Sequence, residues 1–196
     1  MVSRSKEESG FSVVELVVVV AISIILTTVA VFSLRANKRS YAADDEATQI
    51  LSFMREAYHR ALAQRQTMRV TIDRNNNIVK LMDEGLLPGG DEVEIIRGKS
   101  NDQVSFDRPS YKGVQAPLPP APYSYGVAGF QNGTWSIRFR GDGSVVDVNG
   151  NSVSATLYFV PPNLDATLIR AITIFGPSGS VRYWRYDGSA FVSEVH

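Results

Sequence analysis

Glu15 is the single charge in residues 11–34, FSVVELVVVVAISIILTTVAVFSL. A carboxylate held in apolar surroundings needs a counter-charge, and no basic residue lies within helical reach along the run. The chemistry it implies is therefore an ion pair with another chain. Glu56 and His59 have the spacing of a carboxylate–histidine metal pair. With no cysteine and only His59 and His196 as histidines, a second such pair is missing, and both read as surface residues. Asp142, Asp147, Asn149 and Asn151 offer oxygen ligands of the kind calcium takes, but their spacing does not fit a dedicated calcium loop, so they read as turn residues. In Val181-Arg182-Tyr183-Trp184-Arg185-Tyr186 an extended backbone puts Arg182, Trp184 and Tyr186 on one face, and Tyr183 and Arg185 on the other with Val181. Cations interleaved with aromatics suit single-stranded nucleic acid, where bases stack and cations hold phosphates. The competing reading is a strand with one core face. No Ser-His-Asp set, phosphate-binding glycine loop or paired-carboxylate signature occurs in context. The expectation is a protein that is not an enzyme, with no cofactor and no bound metal.

The apolar run that carries Glu15 is 24 residues long. At a rise of ~1.5 Å per residue a helix of that length spans ~36 Å, enough for a hydrocarbon core of ~30 Å. A secretory signal peptide has a shorter apolar core of ~7–15 residues. The run thus predicts a transmembrane helix. Arg4 and Lys6 precede it and Arg35, Lys38 and Arg39 follow it, so basic residues do not set an orientation.

Elsewhere the composition is balanced, with 20 Lys plus Arg against 20 Asp plus Glu. That excludes a chain selected for overall basicity or for acidic disorder. Ala43, Ala47, Ile50, Met54, Ala57 and Ala61 recur at helical spacing and predict an amphipathic second half of the helix over 35–66. Asp44-Asp45-Glu46 reads as a solvated patch, or as a subunit contact. From 67 the period changes to two. Residues 67–73 and 78–83 flank Arg74-Asn75-Asn76-Asn77, a hairpin signal. Further strands are expected at 92–97, 134–140, 144–148, 152–160, 169–175, 180–186 and 190–195. The proline-rich 115–122 (QAPLPPAP) is expected to be an extended loop. The stripe and the strands predict an antiparallel meander packed on the half-helix.

Gly10-Phe11-Ser12-Val13-Val14-Glu15-Leu16 resembles the processing motif of type IV prepilins. The resemblance implies a leader over 1–10, cleavage between Gly10 and Phe11 by a prepilin peptidase, N-methylation of Phe11, and pairing of Glu15 with the Phe11 amine of a neighbouring subunit. Phe139-Arg140-Gly141-Asp142-Gly143 and the later Gly176-Pro177-Ser178-Gly179 turn resemble general secretion pathway protein H and its minor-pilin relatives of the FimT and FimU type. On that resemblance the chain is expected to be α+β and pilin-like. A long N-terminal helix has a transmembrane or filament-core first half over 11–34 and an amphipathic half over 35–66, packed on an antiparallel β-sheet domain over 67–196. The implied role is a minor pilin or pseudopilin of a type IV pilus or type II secretion pseudopilus, with a major pilin as the alternative. The implied location is the bacterial inner membrane, single-pass with a periplasmic C-terminal domain, and then the filament. Other pilins, the peptidase, the inner-membrane assembly platform and lipid are the implied partners. Some FimT-type pilins bind DNA through a basic segment opening Gly-Arg. Here Ser180 follows Gly179, and Arg182, Trp184 and Arg185 are the residues that would serve.

Overall fold

The computed structural model describes residues 13–85, 92–111, 114–162 and 166–193, leaving aside the side chains at 29–40, 111 and 114. The leader, Gly10 and Phe11 lie outside the described residues. Helix α1 is Val13–Gln64, and it ends where Arg65 takes a left-handed conformation at φ 55°. Among the described residues eleven strands follow: β1 Met68–Asp73, β2 Ile78–Asp83, β3 Val93–Lys99, β4 Ser110–Tyr111, β5 Val114–Gln115, β6 Thr134–Phe139, β7 Val145–Val146, β8 Ala155–Phe159, β9 Arg170–Phe175, β10 Ser180–Tyr186 and β11 Phe191–Ser193. Two short 3₁₀ turns, Ala166–Leu168 and Gly176–Ser178, flank β9.

Two compact units divide the chain, Met1–Lys38 and Arg39–His196. The second holds two antiparallel sheets, ordered β3-β2-β1-β6-β7 and β11-β10-β9-β8, with β4-β5 as a separate ribbon. Within it the helix buries one stripe. Ala43, Ala47, Ile50, Met54, Ala57 and Ala61 are all inaccessible, and the four alanines let the helix backbone approach the sheets closely. They pack with Met68, Val70 and Ile72 of β1, Ile137 and Phe139 of β6, and Leu157, Ile172 and Ile174 of the second sheet, forming one core. Each large side chain buried there contributes about 1.5–3 kcal/mol.

The second sheet is covered on both faces. Behind it Tyr158, Val160, Ile169, Ala171, Trp184 and Phe191 form a smaller core, closed by Leu118 and Tyr123 from the proline-rich segment and the residues after it. Tyr158 donates its hydroxyl to the Pro117 carbonyl at 3.3 Å. Burial on both faces explains why β8 and the first five residues of β9 are buried without alternation.

The expected architecture is corrected in three respects. Among the described residues no helix is long and apolar enough to cross a membrane. A single-pass inner-membrane location with a periplasmic domain is overturned by the same finding. Nor, among the described residues, is a long N-terminal helix packed along one sheet: residues before Arg39 belong to a unit of their own, the buried stripe lies within residues 42–61, and that stripe meets two sheets.

Gly179 closes the turn between β9 and β10 at φ 63°. A methyl on its Cα would lie 2.5 Å from the Gly143 carbonyl oxygen and 2.6 Å from the Tyr58 ring. Gly179→Ala is expected to lower the unfolding free energy by about 2 kcal/mol, combining backbone strain and overlap. Urea unfolding measures it, and an unchanged midpoint would contradict both the strain and the overlap.

Candidate functional site

The N-terminal helical stretch carries an unusual surface. Val13, Val14, Leu16, Val17, Ile22, Ile24, Ile25 and Leu26 are all exposed, Val13 by 78%. Its hydroxyl groups are folded back on the helix. Ser23 donates to the Val19 carbonyl at 2.8 Å, Thr27 to Ser23 at 2.7 Å and Thr28 to Ile24 at 2.8 Å. Bonding four residues back satisfies these groups internally, so the outside stays apolar. Glu15 stands on this surface, exposed, and forms no ion pair with any described residue. An uncovered apolar surface of this extent marks an interaction site.

The acidic triplet after residue 43 is not a solvated patch. Only Asp45 is exposed. Asp44 accepts from Arg170 Nε at 2.8 Å and from the Tyr183 hydroxyl, which ties α1 to β9 and β10. Burial opposes ionisation of Asp44, but the Tyr183 hydroxyl and the Arg170 guanidinium outweigh it and hold its pKa below the ordinary value. Burial, and then the Asp44 bond, push the Tyr183 hydroxyl upward. Glu46 is 2% exposed and reaches the opposite side, to Ser100 and Asn101.

Arg182, Trp184 and Arg185 are not assembled into one exposed surface. Trp184 is buried at 3%, and its Nε1 donates to Thr173 Oγ1 at 2.8 Å. Arg182 lies on the outer face of β10, its guanidinium 4.3 Å from the centre of the Tyr123 ring. Arg185 points to the other face, where its charge acts on Asp44. The core has taken the aromatic residue that stacking on a base would need.

Asp142 and Asp147 are occupied by their own turns. Asp142 Oδ1 accepts from the Ser144 amide at 2.9 Å and the Ser144 hydroxyl at 2.6 Å. Asp147 Oδ1 accepts from the amides of Asn149 at 2.8 Å and Asn151 at 2.9 Å. Glu56 pairs with Arg60 one turn on, while His59 is exposed beside a groove of about 450 Å³. Among the described residues no group of three or more histidine, aspartate or glutamate side chains is placed to hold a metal ion.

Sequence reasoning missed the buried charge centre of the first sheet. Glu84 is inaccessible, with Arg138 Nε 2.6 Å from one carboxylate oxygen and Arg69 Nη1 3.0 Å from the other. A lone glutamate after a strand gives no sign of this. The available signal was the pair of arginines inside two apolar strands, Arg69 and Arg138, each needing a counter-charge. Comparison of the chain with protein-family models, with curated proteins and with solved structures found no match.

Proposed function

We propose that the chain is a filament subunit of the type IV pilin-like class, a minor pilin or pseudopilin that a prepilin peptidase cleaves between Gly10 and Phe11. The carrying observation is the exposed apolar surface of residues 13–26 with Glu15 near its start, directly after Gly10-Phe11. A helix apolar all round is stable only when covered. Equivalent helices of neighbouring subunits supply that cover and leave one polar demand, the Glu15 carboxylate. Cleavage creates a cation at the Phe11 amine, and a neighbour's amine pairs with Glu15 inside the bundle, where the low dielectric strengthens the attraction. The Arg39–His196 unit is the folded part of the subunit. Its role is structural, and its clamps, Asp44 to Arg170 and Tyr183, keep its own stretch of helix on the sheets.

Mass spectrometry of the N-terminus tests the processing step. Co-expressed with a prepilin peptidase, the mature chain is expected to begin at Phe11 and to carry one methyl group on its amine. A chain that still begins at Met1 contradicts the proposal.

A further inference from the structure

Glu46 is buried in the joint between α1 and the end of β3, yet both of its hydrogen-bond partners are neutral. The Ser100 hydroxyl lies 2.6 Å from Oε1, and the Asn101 backbone N–H donates to Oε2 at 2.9 Å. Beside the carboxyl group is an open groove of about 350 Å³. The charged groups facing it are Asp45 from the same helix, Lys99 from the last position of β3, and Asp102 from the turn after it. Two carboxylates and one ammonium line that groove with Glu46, and among the described residues no lysine or arginine pairs with it. The joint itself is tight. A methyl on Gly98 would lie 2.1 Å from Gln49 Nε2 and 3.0 Å from the Phe53 ring, so helix and strand are in contact one turn from Glu46. The Ser100 amide also donates to the Asn77 carbonyl at 2.8 Å, which ties the joint to the β1–β2 hairpin.

We propose that Glu46 is a proton-operated latch: with its proton donated to the Ser100 hydroxyl oxygen, and the Asn101 N–H donating to its other oxygen, it stays seated between α1 and the Ser100–Asn101 turn, and on losing the proton it admits water from the adjoining groove and loosens the joint. Burial raises its pKa from the ordinary 4.5, and the bonds from Ser100 and Asn101 offset this only in part. The native state therefore keeps the proton to a higher pH than the unfolded chain does. The stabilisation is complete below about 4.5 and is lost as pH rises through the native value. Asp44, two residues earlier, has the opposite sign, because its lowered pKa stabilises the fold above the ordinary aspartate value and fails in acid. Comparison with a single-site variant removes that contribution.

The test compares the full-length chain with Glu46→Gln, which is neutral and nearly isosteric, by urea unfolding between about pH 4 and pH 8. The glutamine variant is expected to gain on the wild type as pH rises, by a factor of about ten in the folding equilibrium for each unit by which Glu46 is raised. Hydrogen exchange at the Asn101 amide is expected to accelerate over the same interval, beyond its intrinsic pH dependence, in the wild type alone. A carboxyl-carbon NMR titration of the wild type gives the answer even if the variant folds poorly, and its midpoint is expected above the ordinary glutamate value. A stability difference flat in pH, a wild type that gains on the variant, or a titration midpoint at or below the ordinary value would each overturn the latch.

Discussion

Glu84→Ala is expected to remove about 3–5 kcal/mol of folding free energy, a large share of the ~5–15 kcal/mol that a domain has. Arg69 on β1 and Arg138 on β6 are directly opposite one another in the ladder, where like charges repel. Glu84 lies between them with no solvent access, one oxygen 2.6 Å from Arg138 Nε and the other 3.0 Å from Arg69 Nη1. Arg69 Nη2 reaches on to Glu92 at 2.6 Å. Glu84 is itself fixed by its backbone, since its amide donates to the Thr67 carbonyl at 2.9 Å. Removing the carboxylate leaves two facing guanidinium groups, one of them 8% exposed, without the charge that joined them. For a chain of this size the loss corresponds to a fall in Tm of roughly 6–20 °C. A triple variant with Glu84→Met, Arg69→Leu and Arg138→Met is expected to recover most of it, because apolar groups of similar volume replace a buried ionic set at little cost. A loss below about 1 kcal/mol for Glu84→Ala would place the set among weak surface pairs instead.

Features that depend on neighbours in sequence were legible. The alanine-rich stripe of α1 follows from a period of 3.6, and the β1–β2 hairpin from alternation around Arg74-Asn75-Asn76-Asn77. There Asp73 Oδ1 accepts from the amides of Asn75 at 3.0 Å and Asn76 at 3.1 Å. The proline-rich segment was legible as a loop from Ala116 on, but not in Gln115, which closes β5, nor as the cover of a second core. What depends on distant partners was not legible. Asp44 and Arg170 are 126 positions apart, and Glu84 and Arg138 are 54 apart. Local pattern records that a side chain is charged, not that a matching charge waits on another sheet, so Asp44-Asp45-Glu46 looked solvated. Trp184 stood between two readings. Its face of β10 is the outer one, as alternation implies, but the chain around Leu118 and Tyr123 covers it. The membrane expectation failed for a related reason. Hydropathy shows that a surface must leave water without naming its cover, and among the described residues no helix is long and apolar enough to cross a bilayer.

The second large effect belongs to Glu15. In the proposed filament its carboxylate neutralises a neighbour's Phe11 amine within an apolar bundle. Glu15→Val makes the helix more apolar, so a purely hydrophobic assembly would gain from it. If the ion pair governs assembly, the substitution strands an amine among apolar groups at a cost of about 3–5 kcal/mol, a factor of at least about a hundred in incorporation. Cleavage at Gly10 should proceed, because the scissile bond is unchanged.

The most direct measurement is quantitative immunoblotting of sheared, purified filaments from cells that express either the wild-type chain or Glu15→Val, with the cellular pool of processed chain as the reference. The wild-type chain is predicted in the filament fraction, and the processed valine variant almost wholly outside it. Equal incorporation of the two, or a wild-type chain that never enters a filament, would contradict the account.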